Sequence, residues 1–345
     1  MRPARTVLVV ALLVVSSVAP VGAVAAAATQ EAETYAGTHV EFETAGDAVV
    51  DYSVDGETVL ESVTVQSQSA AESGARMEAH DNARGILVVR SGDDSQYVTV
   101  NVSSTSQTED ESDRRVAVTT EDGTEGVFLV VGDGTVTVNE QGNVSADVGS
   151  DGALVFRSYS DGRDDDDREQ ERLISEGRAA AEVYVMESGE DGSEFVADVV
   201  QYGEDTSVEV TQQTQGTVTM TAERSQEQGK IIITSVSEAA ISAVENLQVT
   251  VDGEAAAEAS SYGELETASD GGDTSKFLVR QRSSAQASAD VLVAVNGFST
   301  REITMSEGGS DDGQESTATS TESPGFGPVA ALLALVALVG LVRRR

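Results

Sequence analysis

The stretch VVDYSVDGETVLESVTV, residues 49–65, carries the pattern that decides the fold class. Apolar and polar residues alternate on both sides of Asp55-Gly56. Asp-Gly between two such runs is a strong signal for a two-residue hairpin turn. A period of two places one set of side chains in a core and the other in water. The stretch therefore predicts an antiparallel β-hairpin with one buried face.

The same signals recur along the body of the chain. Further Asp-Gly pairs stand at residues 133–134 and 252–253, between strand-like segments. The other strand-like segments are the alternating runs 40–44 and 97–102 and the apolar runs 86–89, 127–131 and 231–233. No fixed repeat of about 20–50 residues is present, which argues against a solenoid. We predict a mainly β protein built from antiparallel, sandwich-like domains.

Two stretches have helical periodicity instead. Residues 168–186 are rich in Glu, Arg and Ala, with Leu173, Ile174 and Val183 as the apolar side. Residues 237–247 begin with a serine suited to an N-cap and continue with apolar residues at three-residue steps. We expect two short helices at these positions.

The acidic loop at residues 158–167 is the best candidate for a domain boundary. It predicts one β domain over 35–160 and a second β-rich domain, containing both helices, over 161–305. A single two-sheet sandwich with a long acidic insertion is the alternative.

The first residues have the parts of a secretory signal. Arg2 and Arg5 precede the apolar run 6–18, and small residues suited to cleavage follow it. The apolar run is shorter than the ~20 residues that a membrane span needs. The two arginines are not adjacent, which favours general secretion over a twin-arginine route. We predict a signal peptide over residues 1–28.

The last residues form a second signal in three parts. Pro324-Gly325-Phe326 is followed by the apolar run 329–342 and by three arginines, 343–345. As a helix the apolar run is about 21 Å long, against about 30 Å for the hydrocarbon core of a bilayer. This order resembles the PGF-CTERM sorting signal of archaeal surface proteins, and the resemblance is confined to about residues 323–345.

The resemblance implies that Pro324, Gly325 and Phe326 are recognised by an archaeosortase. That enzyme removes the helix and joins the new end to a membrane lipid. The alternative is a permanent C-terminal membrane helix with its arginines in the cytoplasm. Either anchor leaves the rest of the chain on the outer face of the cell membrane. Residues 306–323, rich in Ser, Thr, Gly and acids, predict a flexible or O-glycosylated stalk.

Charge and composition exclude several classes of protein. The 345 residues include 60 acidic and 21 basic side chains, a net charge of −39. Without the five arginines of the two end signals the charge is about −44. This charge disfavours nucleic-acid binding, and the absence of cysteine excludes disulfides and thiolate metal sites. High acid content with little lysine resembles the composition of haloarchaeal proteins. In molar salt the repulsion between the acidic side chains is screened, so such a chain can stay compact. A disordered polyanion is the rival interpretation, but the strand pattern argues against it.

Catalytic motifs are absent from the sequence. It has no G-x-S-x-G, S-x-x-K, H-E-x-x-H, P-loop or G-x-G-x-x-G pattern. The two histidines, His39 and His80, leave a Ser-His-Asp arrangement as a weak alternative. A glycosidase-like pair of carboxylates also stays open, although the sequence has no tryptophan to form a sugar platform. We predict a protein without enzymatic activity and without a cofactor.

Two kinds of site remain as candidates. The densest oxygen cluster is Asp164, Asp165, Asp166 and Asp167, which weak Ca²⁺ or Mg²⁺ binding would suit. Its spacing is not that of an EF-hand, so we interpret it as a solvated acidic loop. Asn101-Val102-Ser103 and Asn143-Val144-Ser145 are sequons, which predict N-glycosylation at Asn101 and Asn143 in an exported chain.

Together these features predict an exported, anchored protein of the cell surface, such as an envelope or S-layer component. We expect it to be glycosylated and to have a structural, adhesion or binding role. Its expected partners are the membrane, the secretion machinery, an archaeosortase and other envelope proteins, but not nucleic acid. The alternatives are an extracellular hydrolase that uses dispersed carboxylates and a surface receptor for a solute or cation.

Overall fold

The computed structural model describes residues 11–13, 33–45, 48–67, 75–92, 94–188, 194–203, 205–281, 289–297 and 300–308. Over these residues the protein is mainly β, with antiparallel sheets and two α-helices, as the sequence predicts. The predicted sorting signal at 324–345 and almost all of the predicted signal peptide lie outside the described residues. So does the predicted stalk, apart from its first residues, which belong to the last strand.

The first half of the chain forms fourteen strands among the described residues. They are β1 (Ala11–Leu13), β2 (Glu33–Ala36), β3 (Val40–Ala45), β4 (Ala48–Val54), β5 (Glu57–Ser67), β6 (Arg76–His80), β7 (Ile86–Arg90), β8 (Gln96–Asn101), β9 (Gln107–Ser112), β10 (Arg115–Thr119), β11 (Glu125–Val131), β12 (Gly134–Val138), β13 (Val144–Val148) and β14 (Ala153–Tyr159).

The second half adds two helices and eleven strands among the described residues. They are α1 (Asp165–Ser175), β15 (Ala179–Ser188), β16 (Glu194–Gln201), β17 (Thr206–Thr214), β18 (Thr217–Arg224), β19 (Gln228–Val236), β20 (Leu247–Val251), β21 (Glu254–Ala255), β22 (Ala257–Glu258), α2 (Tyr262–Ser269), β23 (Lys276–Gln281), β24 (Ala289–Gly297) and β25 (Thr300–Glu307).

The strands of the first half form two seven-stranded sheets, which we call the first sandwich. Their orders are β1-β6-β7-β14-β11-β10-β9 and β12-β13-β8-β5-β4-β3-β2. The core between these sheets is built largely from valine, and its buried aromatic residues are Phe42, Tyr52, Phe128 and Phe156. Strand β1 lies inside the range predicted as a signal peptide and pairs with β6 at the margin of the first sheet.

The hairpin predicted from residues 49–65 is confirmed. Strands β4 and β5 pair in antiparallel register around Asp55-Gly56, and both turn residues have a positive φ, 51° and 84°. That backbone is typical of the type I′ turn that Asp-Gly favours. Asp252-Gly253 turns β20 into β21 in the same way. Asp133-Gly134 differs, because it carries the chain from β11 in one sheet to β12 in the other.

The strands of the second half form a six-stranded and a five-stranded sheet, the second sandwich. Their orders are β16-β15-β19-β24-β23-β22 and β17-β18-β25-β20-β21. Two pairs, β15 with β19 and β22 with β23, are parallel. The core between these sheets contains the buried residues Ile232, Met220 and Met305.

Both predicted helices need correction. The first ends at Ser175, and residues 179–188 form β15 instead of a continuation of the helix. Gly177, with a φ of 66°, stops the helix, and the alternating Ala, Val and Tyr side chains that follow fit a buried strand. The second predicted helix, 237–247, contains only a 3₁₀ turn at Val244–Asn246. Here Ile241 and Val244 pack into the core of the second sandwich. The second helix is α2, which the sequence pattern did not reveal.

A third apolar layer lies between the two sandwiches. The outer faces of β7, β11 and β14 contribute to it from the first sandwich, and β15, β19 and β24 from the second. Helices α1 and α2 add Leu173, Ile174 and Leu265. By its internal contacts the chain through Gly308 forms one compact unit. The chain passes from one sandwich to the other between β14 and α1, and the division into domains near residue 160 stays a prediction. No helix in the described part of the chain is long and apolar enough to cross a bilayer.

Candidate functional site

The two sequons lie side by side on the first sandwich. Asn101 ends β8, and Asn143 immediately precedes β13, the neighbouring strand. Asn101 Nδ2 donates to Ser62 Oγ at 2.8 Å, and Asn143 Oδ1 accepts from the backbone N–H of Val102 at 3.3 Å. Both asparagines are half-buried. The backbone bond to Asn143 uses the amide oxygen, which leaves the amide nitrogen as the atom to which a glycan would attach.

The acidic run at 164–167 lies at the start of a helix and not in a loop; Asp164 and Asp165 are exposed, as a solvated run requires, whereas Asp167 is buried. Asp164 is the N-cap of α1, and it forms a capping box with Asp167, in which each carboxylate accepts the other residue's backbone N–H. Asp165 and Asp166 stand in the first helical turn, where negative charge is favourable. A capping role therefore accounts for the cluster.

The carboxylates of this run already have protein partners. Asp165 and Asp166 pair with Arg168 and Arg280 at 3.1 and 3.0 Å. Asp167 pairs with Arg84 at 2.6 Å. Among the described residues no group of three or more His, Asp or Glu side chains is arranged to hold a metal ion.

His39 is half-buried, and its Nδ1 lies 2.8 Å from Asp55 Oδ1 at the β4–β5 turn. Its backbone N–H donates to Asp81 Oδ1, as does that of Val40. These hydrogen bonds connect the start of β3 to the loop that follows β6. His39 therefore has a structural role.

His80 forms half of a catalytic arrangement but lacks the rest. Its Nδ1 lies 2.9 Å from Asp198 Oδ1, and Asn82 Nδ2 donates to Asp198 Oδ2 at 2.7 Å. A triad needs the other ring nitrogen to reach a nucleophile and the substrate. His80 Nε2 is buried and has no hydrogen-bond partner among the described residues. Its geometry is therefore that of a structural contact between β6 and β16.

His80 and Asp198 belong to a larger set of charges between the two sandwiches, which we call the charged seam. The seam comprises His80, Asn82, Arg84, Arg157 and Arg163 together with Asp167, Glu171, Glu182 and Asp198. Its basic side chains precede α1 in the chain, whereas its carboxylates lie on α1, β15 and β16. The pairs therefore connect the first sandwich to the second sandwich and its helix.

The centre of the seam is the pair between Arg157 on β14 and Glu182 on β15. Their nearest atoms, Nη2 and Oε1, are 2.9 Å apart, and each side chain is only 1 % exposed. Burial raises the pKa of Tyr184 well above its ordinary value, so its phenol keeps the proton. The hydroxyl of Tyr184 donates to Glu182 Oε2 at 2.6 Å. Arg157 Nε and Nη1 and Glu182 Oε1 are buried without a hydrogen-bond partner among the described residues. Each of these two charges therefore depends on the other, and removal of one leaves the other buried and unpaired.

A second buried pair joins Arg84, in the β6–β7 turn, to Asp167 on α1. The guanidinium of Arg84 also lies 4.2 Å from the ring centroid of Tyr159, a cation–π contact. Burial raises the pKa of Asp167 to about 6, against the opposite effect of Arg84. For this carboxylate, desolvation therefore outweighs the attraction of the guanidinium.

The third pair lies at the start of α1. Arg163 Nε donates to Glu171 Oε1 at 2.6 Å, and its terminal nitrogens contact both Glu171 and Glu111 of β9. The hydroxyl of Tyr159 donates to Glu171 Oε1 at 2.6 Å. Each pair is buried and requires its two side chains to lie in one relative orientation. The pairs that join the first sandwich to α1, β15 and β16 therefore determine how the two sandwiches pack together.

A cleft of about 590 Å³ opens at one end of the second sandwich. Its walls are the start of β16, the end of β17 with the turn after it, and one residue before the 3₁₀ turn. The lining residues are Glu194, Phe195, Val196, Gln213, Thr214, Gln215 and Ala239. Among the described lining residues Glu194 is the one that carries a carboxylate, whereas glycoside hydrolysis uses two carboxylates that face each other.

The sequence did not reveal the seam or the cleft. The sequence carries one signal for the seam, a charged residue inside an apolar strand, such as Arg157 after Val155-Phe156. The partners of those charges are far away in the chain, 83 residues for Arg84 and 118 for His80. No local pattern connects them.

Comparison with known proteins identifies no family. No protein-family description and no curated protein matches the chain. Among solved structures, a mutant glycoside hydrolase family 81 protein from Clostridium thermocellum aligns over 90 % of this chain and 36 % of its own length. The identity is 10 % and the TM-score 0.27. The chain thus spans about a third of that protein, and nothing about function follows from so low a score.

Proposed function

We propose that this chain is an exported protein held on the outer face of the cell membrane by its C-terminus. Its β-sandwiches have a structural, adhesion or binding role there, without catalysis, and the sequons at Asn101 and Asn143 carry glycans. The protein works in an envelope that is bathed in concentrated salt. Its partners are the membrane and neighbouring envelope proteins.

The observation that carries this proposal is an acidic outer surface over buried charges that are paired. Arg84, Arg157 and Arg163 are 7 %, 1 % and 8 % exposed, and all three pair with buried carboxylates inside the seam. The outer strand β9 displays Glu109 and Asp110 to solvent. Charged outer strands resist pairing with other chains. An acidic exterior suits a rigid protein in molar salt, where the exterior repulsion is screened.

Two arrangements among the described residues bear on the proposed absence of catalysis. The Asp198–His80 pair has its second ring nitrogen buried, and Glu194 is the one carboxylate among the described residues that line the cleft. Neither arrangement presents a nucleophile or an acid–base pair to a substrate.

Mass spectrometry of the native protein, extracted from membranes, tests the anchor. We expect no peptide beyond about Pro328 and a lipid-sized addition on the last peptide, because the apolar run is short for a permanent span and two lipid chains are sufficient for stable anchoring. Replacing Pro324 and Gly325 by Ala should leave a heavier, unprocessed form in the membrane, whereas Thr319→Ala should be processed normally. Native protein that retains Arg343–Arg345 would show that the helix itself is the anchor.

The same spectra test the glycans. Asn101→Gln and Asn143→Gln should each lower the intact mass by one glycan, while Asn246→Gln, which lies outside any sequon, should not. If the unsubstituted protein has the mass of a bare polypeptide, both glycosylation assignments are wrong. That outcome would leave the anchoring proposal intact.

A further inference from the structure

The cleft of the second sandwich lies where two outer strands meet. Strand β16 pairs only with β15, and β17 pairs only with β18, among the described residues. The cleft therefore lies between the open margins of the two sheets. Such a corner places backbone carbonyls, as well as side chains, within reach of a ligand.

Gln213 makes this corner polar. Its Nε2 donates to the backbone carbonyl of Phe195 at 2.9 Å. In this conformation the amide nitrogen faces Phe195, because only the nitrogen can donate to a carbonyl. The amide oxygen, Oε1, is then buried and has no hydrogen-bond partner among the described residues. A buried acceptor without a donor is unfavourable, and a ligand that brings a donor relieves it.

The charged residue of the cleft is also an acceptor. Glu194, which is exposed, is among the lining residues. None of the described lining residues is basic. The apolar part of the wall comes from Phe195, Val196 and Ala239. The complementary ligand has several donors at one end, carries a positive charge and has an aliphatic stem.

We propose that this cleft binds a primary alkylammonium or guanidinium group, the chemistry of a lysine or arginine side chain or of a free amine. The charged end contacts Glu194 and Gln213 Oε1 once the Gln213 side chain turns from Phe195. The aliphatic stem lies along Val196 and Ala239, and the ring of Phe195 adds a cation–π contact.

High salt removes the long-range attraction between the protein and its ligand but leaves their direct contacts in place. The long-range attraction of an acidic protein for cations disappears in molar salt, where the Debye length is about 3 Å. Contacts at hydrogen-bond distance act within that length, so they persist. The site therefore selects its ligand by direct contacts. The proposal goes beyond the surface role, which stands whether or not the cleft binds an amine.

Calorimetry and NMR titration of the folded, full-length protein in molar KCl test the site with three kinds of probe. The first is a free amine, n-butylammonium. The second kind presents lysine and arginine side chains, in N-acetyl-lysine amide and N-acetyl-arginine amide. The third kind is neutral, n-pentanol and glucose. We expect the cationic probes to bind at least tenfold more tightly than n-pentanol. Stronger binding of the amino-acid amides than of the free amine would identify a polypeptide partner, and equal binding would identify a small amine.

Variants locate the binding in the cleft. Glu194→Gln, which keeps the shape of the side chain, should weaken binding of the cationic probes about tenfold, since it removes a charged hydrogen bond. Gln213→Leu should weaken it as well. Glu209→Gln is the matched control. Glu209 is an exposed acid on β17, the strand that carries Gln213, and it is not among the residues that line the cleft. Circular dichroism confirms that each variant is folded. Unchanged affinity in Glu194→Gln, no binding by any cationic probe, or binding of glucose alone would overturn the proposal.

Discussion

Replacing Arg157 by Met should lower the free energy of unfolding by about 3–5 kcal/mol. The substitution leaves the carboxylate of Glu182, which is 1 % exposed, without its guanidinium partner between the two sandwiches. The hydroxyl of Tyr184 still donates to that carboxylate. One neutral donor does not compensate a buried charge. Denaturant unfolding in molar salt measures the change.

Two further variants separate charge pairing from packing. The double variant Arg157→Met with Glu182→Met removes both charges, and it should recover most of the lost stability, because apolar residues can replace a buried ion pair. Arg301→Met breaks an exposed pair with Asp252 instead, and it should cost at most about 1 kcal/mol. If Arg157→Met is no more costly than Arg301→Met, the seam does not hold the sandwiches together.

Lowering the ionic strength should unfold the protein at neutral pH. The part of the chain outside the predicted end signals carries a charge of about −44, and without salt its exposed carboxylates repel one another across the whole surface. The buried pairs of the seam are shielded from solvent, so their strength changes little with salt. They cannot offset a repulsion that grows as the salt is diluted. The strand signal in circular dichroism should collapse in dilute buffer.

An uncharged osmolyte is the control for this experiment. Sucrose at matched osmolarity strengthens burial without screening charge, so it should stabilise the fold less than KCl does. Full β structure in dilute buffer at neutral pH would refute the halophilic interpretation of the sequence. If sucrose and KCl stabilise the fold equally, the stabilisation arises from hydration and not from the screening of charge.

Local patterns predicted the parts of the fold that local interactions determine. Asp55-Gly56 and Asp252-Gly253 specify turns because both residues accept a positive φ there. The alternation in β4 and β5 then decides which side chains enter the core. The mainly β architecture follows from many such signals, each contained within about twenty residues.

Features that depend on distant partners could not be predicted in this way. Residues 179–186 look helical in composition, yet they pair with β16 and with the distant strand β19. Tertiary pairing overrides the preference of alanine for helices. The run at 164–167 looked like a solvated loop because its partner Arg84 lies 83 residues earlier. The cleft depends on how β16 meets the β17 turn, which no sequence period records.

The central claim, that the folded body faces the outside of the cell, is tested most directly by labelling intact cells. The sequence has two lysines, Lys230 and Lys276. Lys276 is half-exposed and pairs with Glu264 at 3.1 Å, so it is within reach of a reagent. A membrane-impermeant, amine-reactive ester, applied in molar salt, should modify Lys276 equally in intact and in lysed cells, and Lys276→Arg should remove that modification. Labelling of Lys276 that appears only after lysis would contradict the account.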